Sequence, residues 1–342
     1  MSNAHPSIQP GTVQSITPNL IGKLKAYYVF PEIAEQICAR LERYAAQGTY
    51  DDIDEGEFLA LALTLHMQEV NHDQHLWVRW HAAELPDQPG SILNHPDTLE
   101  DQKQKARLEN YGIHKLERLP GNIGYIDIRY FYRTSWGSGE TIVAAMGFLA
   151  NTNAVIIDLR QCTGGYPATV ALTCSYFFDE QPVHLNSLHW REDNLTEQYW
   201  TLSFVPGRRM VDQPVYILTG QETFSGGEEF AYNLQAQHRA TLVGEATGGG
   251  AHPGSLYRIH PHFEVFIPNG YAVNPVTGSN WEGSGVQPDV PAPQAQALQV
   301  AYRLALKSIG EGLGAPASPA WFDYRTEVEE TLRQIDQDQE RK

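Results

Sequence analysis

The sequence has few cysteines and few basic residues, and it has no long apolar run. Its three cysteines, Cys38, Cys162 and Cys174, are too few and too irregularly spaced for a disulfide framework or a zinc site, so we expect them to be reduced and buried. The formal net charge is −17, which excludes the basic footprint that nucleic acids and anionic membrane surfaces require. No stretch approaches the ~20 apolar residues of a membrane span.

Residues 1–14 are polar and lack the basic and then apolar pattern of a secretory signal. This predicts a cytoplasmic chain, or an extracytoplasmic one if a signal has been removed. The composition makes no prediction about the oligomeric state.

With 342 residues and 42% hydrophobic residues, the chain is long enough for two domains. Residues 10–72 have apolar side chains at three- and four-residue steps, which predicts a small helical domain with a break at Phe30-Pro31. Residues 73–120 are interpreted as a strand and a linker with one helix. Residues 121–310 alternate short β-branched runs with helical segments, which is typical of an α/β domain with a largely parallel, buried sheet. Residues 311–342 are interpreted as a charged C-terminal tail, in which a flexible link, 310–319, leads into a helical segment, 320–342.

The α/β interpretation depends on particular segments. Strands are predicted at 123–128, 154–159, 215–218 and 241–244, and helices at 138–149, 167–178, 227–238 and 294–309.

A glycine-rich turn around Ser225 joins a predicted strand to a predicted helix. Such a turn lifts a small hydroxyl to the end of the sheet. The amides of Gly226 and Gly227, at the start of the helix, then point towards the position where charge develops on an attacked carbonyl. Ser225 is therefore a candidate nucleophile. The alternative is that Ser225 only caps the helix, as serine often does.

A second glycine turn, Gly164-Gly165, also follows a predicted strand. The carboxyl ends of parallel strands lie on one edge of a sheet, so this turn can face Ser225 and its amides can complete an oxyanion hole. A phosphate-binding loop is the alternative use of such a turn. The sequence lacks the Lys-Ser/Thr ending and the third-glycine spacing of that motif.

No lysine occurs between Lys115 and Lys307, so a Ser–Lys pair within the α/β domain is excluded unless the linker or the last helix supplies the lysine. Histidine is the remaining base. His75, which stands beside Asp73 at the junction of the two domains, is the first candidate, and His252 is the second. A histidine base predicts that activity rises through a titration between about pH 5 and 8.

A carboxylate is the usual third partner of such a pair. Glu282 lies in a loop that is otherwise poor in charge, which makes it a candidate. Solvated glutamates are common, so its position alone leaves the ordinary surface interpretation open.

Seven short motifs stand in order between about residues 24 and 291: Tyr27-Tyr28-Val29-Phe30-Pro31-Glu32, Asp73-Gln74-His75-Leu76, Asn110-Tyr111-Gly112, Leu119-Pro120-Gly121-Asn122-Ile123-Gly124-Tyr125, Asp158-Leu159-Arg160 with Gly164-Gly165, Thr223-Phe224-Ser225 with Glu228-Glu229-Phe230, and Gly285-Val286-Gln287-Pro288-Asp289. In this order they resemble the C-terminal-processing (tail-specific) peptidase family. The resemblance is to the branch that is similar to interphotoreceptor retinoid-binding protein and to the catalytic core of tricorn protease.

The resemblance implies a crotonase-like ββα fold for the α/β domain and serine peptidase activity with Ser225 as nucleophile. Members with a catalytic lysine carry it at a position that here falls near Gly250, where no lysine stands. The tricorn-like branch instead implies His75 as base and Glu282 as its partner. Gln74 stands where tricorn has a serine, which implies a supporting role between the two.

The two glycine turns make amides of Gly164 or Gly165 and of Gly226 the expected oxyanion hole. This mechanism needs no metal or organic cofactor, and its expected substrate is a peptide or protein. The linker is too short for the PDZ module that the family uses to hold substrate, so we expect that module to be absent.

Two other functions are weighed against the peptidase. The first is a non-catalytic binding protein of the same fold that holds an apolar ligand, as the retinoid-binding relatives do. The presence of serine, histidine and glutamate at all three matching places favours the enzyme. The second is an acyl-CoA enzyme of the crotonase type, which the N-terminal helices and the shortage of basic residues for a nucleotide phosphate do not support.

Overall fold

The computed structural model describes Ile8 and residues 11–88, 90–313 and 318–340, with side chains up to residue 337. In chain order its α-helices are α1 Thr12–Tyr27, α2 Pro31–Ala46, α3 Gly56–Gln68, α4 Pro96–Leu108, α5 Ser138–Leu149, α6 Pro167–Cys174, α7 Gly226–Ala236, α8 Ala297–Gly312 and α9 Pro319–Glu340. Its strands are β1 Trp77–Trp80, β2 Ile113–Leu119, β3 Ile123–Ile128, β4 Ala154–Asp158, β5 His184–Trp190, β6 Leu195–Trp200, β7 Val215–Thr219, β8 Thr241–Gly244, β9 Gly254–His260, β10 Phe263–Pro268, β11 Gly270–Val273 and β12 Val290–Pro291.

The chain divides into two compact units, neither of which is continuous in sequence. The first comprises Met1–Lys103, Ser187–Glu197 and Gly250–Val273. The second comprises Gln104–Asn186, Gln198–Gly249 and Asn274–Lys342. The division into consecutive segments 10–72, 73–120, 121–310 and 311–342 stays a prediction.

The first unit packs helices α1 to α3 against a small antiparallel sheet of order β1-β10-β9. The predicted break before Pro31 is confirmed, because proline has no N–H to donate and here opens α2. Side chains on the inner faces of the helices, such as Leu24 and Leu41, share one buried core with Val265 of β10. Each fully buried side chain of this size stabilises the fold by about 1.5–3 kcal/mol.

The second unit contains a six-stranded sheet of order β12-β8-β7-β4-β3-β2. All neighbours are parallel except β2 and β3, which confirms the largely parallel sheet. Helix α8 contacts β4, β7 and β8. Its buried alanines, Ala301 and Ala305, allow this close approach, and they share a core with Ile156 and Leu218 of the sheet.

The linker contains more structure than its sequence predicted. It holds the predicted helix, α4, but also β2, which pairs antiparallel with β3 at the edge of the large sheet. Ile113, Leu116 and Leu119 are three residues apart, so the two-residue alternation of a strand is not visible. Residues 314–317 of the predicted flexible link lie outside the described residues.

The three cysteines are buried and have free thiols, as expected. Within the described ranges, no helix combines the length and the apolar character that crossing a membrane would need.

Candidate active site

Ser225 lies in a turn between the end of β7 at Thr219 and the start of α7 at Gly226. It stands at the N-cap position, but its φ of 50° and ψ of −119° are far from the extended backbone of an ordinary N-cap residue. A positive φ at a non-glycine residue costs free energy and persists only where surrounding contacts hold it. Such backbone geometry is concentrated at functional sites, which helix capping alone does not explain.

The contacts that hold this turn converge on the carboxylate of Glu228, in the first turn of α7. Glu228 is fully buried, and its Oε2 accepts a hydrogen bond from the Ser225 amide at 2.8 Å. Its Oε1 accepts one from the Gly249 amide at 2.6 Å and another from the Thr247 hydroxyl. Hydrogen bonds to a buried carboxylate are about twice as strong as neutral ones, so Glu228 anchors the Ser225 backbone.

The two predicted glycine turns meet at the carboxyl ends of β4 and β7. The Phe224 amide donates to the Cys162 carbonyl at 2.9 Å, which joins the turns. A Cβ built at Gly164 would lie 2.9 Å from Ser225 Cβ and 3.3 Å from the Gly226 amide nitrogen. A Cβ built at Gly226 would lie 2.8 Å from the Gly165 nitrogen. Only glycine permits this approach, which brings the three predicted oxyanion residues beside Ser225.

Glu282 lies in a loop that is tied to the same network. The Gly283 amide donates to the Gly249 carbonyl at 2.9 Å, and the Val286 amide donates to the Thr247 hydroxyl at 2.7 Å. The Glu282 amide itself donates to the Asn280 side chain at 2.9 Å. The loop of Glu282 and the turn of Ser225 therefore share Thr247 and Gly249 as anchors within the second unit.

His75 lies in the first unit, beside the buried carboxylate of Asp73. Asp73 Oδ1 accepts a hydrogen bond from the His75 amide at 3.0 Å. Asp73 Oδ2 is 2.9 Å from the Nδ1 atom of His252 and accepts a hydrogen bond from the Tyr28 hydroxyl at 2.9 Å. Gln74 is exposed between the two buried residues Asp73 and His75. The two candidate bases thus contact one carboxylate, His75 through its backbone amide and His252 through its imidazole.

Burial lowers the pKa of His75 to about 4, and this outweighs the attraction of the Asp73 carboxylate, which raises it. The imidazole is therefore neutral, and able to accept a proton, at all pH values above about 4. The window of about pH 5 to 8 assumed an imidazole close to its unperturbed pKa, and burial of His75 moves its expected titration to lower pH. The acid limb of a reaction that depends on His75 is expected below pH 5.

Comparison with known proteins identifies the family. Residues 122–292 match peptidase family S41, and residues 9–111 match the N-terminal domain of peptidase S41 in eukaryotic IRBP. The chain belongs to peptidase family S41. It is therefore a serine-type peptidase, a hydrolase whose substrate is a peptide or a protein.

Solved structures share the fold of this S41 peptidase at low sequence identity. A lipoprotein from Streptococcus agalactiae is 13% identical with a TM-score of 0.54, over 88% of this chain and 98% of that one. A protein from Parabacteroides merdae, described as a candidate peptidase, is 17% identical with a TM-score of 0.54, over 82% and 90%. The tricorn protease is 12% identical with a TM-score of 0.51, over 87% of this chain and 37% of that one.

The S41 peptidase thus brings Ser225, Gly164, Gly165 and Gly226 together, with the loop of Glu282, in its second unit. His75 and Gln74 belong to the first unit. Sequence reasoning missed the role of Glu228, although the Ser225-x-x-Glu228 spacing is that of a capping box and was a usable signal.

A second glutamate of α7, Glu229, lies in a buried cluster of amides. Burial raises the pKa of Glu229 to about 7. The neighbouring amides of Asn186 and Asn233 lower the pKa and so offset part of this effect. Within the described part of the chain, Oε1 of Glu229, both polar atoms of the Asn186 amide and Nδ2 of Asn233 have no hydrogen-bond partner. The nearby Cys174 thiol has a pKa raised by its burial and by this carboxylate.

We expect Glu229→Gln to stabilise the S41 peptidase relative to wild type at pH 8 and much less at pH 4. The folded carboxyl keeps its proton up to about pH 7, whereas the unfolded one releases it near 4.5, so wild-type stability falls as pH rises between these values. A shift of this size corresponds to ~3 kcal/mol at most. Thermal unfolding of wild type and Glu229→Gln at several pH values measures this difference in stability. A difference in Tm that does not change with pH would contradict it.

Proposed function

We propose that this S41 peptidase hydrolyses peptide bonds with Ser225 as nucleophile, His75 as general base and Glu282 as the residue that orients His75. The observation that carries the proposal is the Ser225 turn. Its unusual backbone is anchored by Glu228, and it lies beside the amides of two glycine turns. A helix cap does not need glycine backbone packed this closely against the serine. A nucleophile with an oxyanion hole does, because the amides must lie beside the reacting carbonyl.

In the proposed reaction Ser225 Oγ attacks the carbonyl carbon of the peptide while His75 takes the hydroxyl proton. The carbonyl oxygen becomes an oxyanion, which accepts hydrogen bonds from amides of Gly164 or Gly165 and of Gly226. When the intermediate collapses, the C–N bond breaks and His75 returns the proton to the leaving amine. A water molecule, deprotonated by His75, then hydrolyses the acyl-enzyme and regenerates Ser225.

We assign the finer features by the same reasoning. Glu282 orients His75, with Gln74 as a relay, because a glutamine amide can donate to a carboxylate and accept from an imidazole N–H. The second unit is proposed to have a crotonase-like ββα fold. The linker holds α4 and β2, and we propose that it contains no PDZ module.

Labelling with a fluorophosphonate probe tests the nucleophile. Wild type is expected to form a covalent adduct with the probe, since the probe reacts with an activated serine hydroxyl. Ser225→Ala should abolish the adduct, and Ser203→Ala, in an exposed loop, serves as control. A wild-type protein that stays unlabelled, or a Ser225→Ala variant that labels equally well, would refute the assignment.

Glu282→Gln is expected to reduce turnover by roughly 10- to 100-fold, less than the loss on Ser225→Ala, because orientation is lost while the nucleophile remains. Initial rates on one peptide substrate, compared for both variants, measure this difference. Glu222→Gln is the matched control, since Glu222 is exposed and precedes Ser225 in the same turn. Wild-type rates for Glu282→Gln would leave it an ordinary loop carboxylate.

A further inference from the structure

A half-buried arginine, Arg133, lies against two aromatic rings. The Cζ atom of Arg133 is 4.5 Å from the ring centroid of Tyr166 and 5.4 Å from that of Trp136. The two rings are themselves 5.9 Å apart and nearly perpendicular. Contacts of this kind hold a guanidinium in place by cation–π attraction without neutralising its charge. We call Arg133, Trp136 and Tyr166 the Arg133 cluster.

The Arg133 cluster is built on the glycine turn that flanks Ser225. Tyr166 directly follows Gly165, and its amide donates to the Phe131 carbonyl at 2.7 Å. The Phe131 amide in turn donates to the Gly164 carbonyl at 2.9 Å. Arg133 comes two residues after Phe131, so backbone hydrogen bonds connect the segment that carries the guanidinium to the proposed oxyanion hole.

The charge of Arg133 has no acidic partner among the residues that the structure describes. Its Nε is buried without a hydrogen-bond partner, and it forms no salt bridge in the described part of the chain. The neighbouring acid Glu109 accepts a hydrogen bond from the Tyr132 hydroxyl at 2.5 Å and lies 3.8 Å from the Lys105 ammonium. The protein has a net charge of −17, and Arg133 lies against two rings, without an acidic partner among the described residues, on a segment that is hydrogen-bonded to the Gly164-Gly165 turn. This combination points to an anionic substrate group.

We propose that Arg133 is a specificity residue that binds a carboxylate of the peptide substrate. The inference rests on the proposed function, because it places the carboxylate on the substrate of Ser225. The planar guanidinium presents a fork of donors that matches a carboxylate, and Trp136 and Tyr166 fix its plane before substrate arrives. The carboxylate comes either from the peptide C-terminus or from an aspartate or glutamate side chain.

Peptide hydrolysis by wild type and Arg133→Gln provides the first test. The peptides share one neutral sequence and carry a free C-terminal carboxylate, a C-terminal amide, or the amide together with one internal aspartate. We expect Arg133→Gln to lower kcat/KM about 10- to 100-fold on one of the two acidic peptides, mainly through KM, and to leave the neutral amide within about twofold. The acidic peptide that loses rate identifies the source of the carboxylate.

Two further variants separate charge from packing. Arg133→Glu is expected to reverse the preference, so that a peptide with lysine in place of the acidic group is cleaved better than the acidic one. Arg118→Gln is the matched control, because Arg118 is an exposed arginine of β2, at the opposite end of the sheet from the glycine turns. Equal losses for Arg133→Gln on acidic and neutral peptides would overturn the proposal.

Binding to an inactive background keeps the inference separate from the proposed mechanism. In Ser225→Ala protein, fluorescence anisotropy should give a Kd for the acidic peptide that rises about 10- to 100-fold when Arg133→Gln is added. Unchanged affinity would overturn the carboxylate site even if wild type is an active peptidase. A clear loss of affinity would uphold it even if fluorophosphonate labelling failed to support Ser225 as the nucleophile.

Discussion

His75→Ala should lower kcat/KM for peptide hydrolysis by a factor on the order of 10³ or more and leave the fold intact. The proposed reaction needs a neutral imidazole that accepts the Ser225 proton, and an alanine cannot replace it. Steady-state kinetics on one peptide measure the loss, and circular dichroism checks the fold. His114→Ala is the matched control, because His114 is exposed on β2.

The pH profile provides an independent check of the same assignment. Since burial lowers the pKa of His75 to about 4, wild-type kcat/KM should be flat from about pH 5 to 8 and fall only below pH 5. His252 shares the Asp73 carboxylate and is the competing base. Near wild-type activity in His75→Ala, together with an inactive His252→Ala, would transfer the role to His252.

Glu228→Gln should both destabilise the protein by about 1–3 kcal/mol and lower turnover at least 100-fold. The carboxylate accepts donors from Ser225, Thr247 and Gly249. A glutamine has one acceptor oxygen, so its NH₂ must oppose at least one of these donors, which is then buried and unsatisfied. The largest effect is expected at Ser225, because the hydrogen bond from its amide to Glu228 helps to hold its positive φ.

Thermal unfolding and peptide hydrolysis measure the two effects of Glu228→Gln. Glu229→Gln is a control of the same chemistry one residue along α7, and its expected effect on stability at pH 8 has the opposite sign. The matched pair therefore separates the loss of an anchoring carboxylate from the general effect of neutralising a buried acid. A Glu228→Gln variant with wild-type stability and turnover would show that other contacts hold the Ser225 turn.

Much of the second unit could be predicted from local patterns. The strands at Ile123–Ile128 and Thr241–Gly244 and the helix at Ser138–Leu149 lie where their apolar periodicity placed them. The meeting of Gly164 with the Ser225 turn followed from a topological rule, since parallel strands direct their carboxyl ends to one edge. The edge strand β2 escaped this reasoning because its exposed positions do not alternate.

The sequence by itself determined the helical start, the parallel sheet, the gap in lysines between Lys115 and Lys307, and the place of Ser225 among its glycine turns, because each depends on the order of residues along the chain. Only the tertiary structure decided the contacts between distant residues. These include Asp73 with His252, Glu228 with Gly249, and Arg133 against Tyr166. It also decided the pKa of His75, because desolvation depends on what surrounds an imidazole in space, which the order of residues along the chain does not specify.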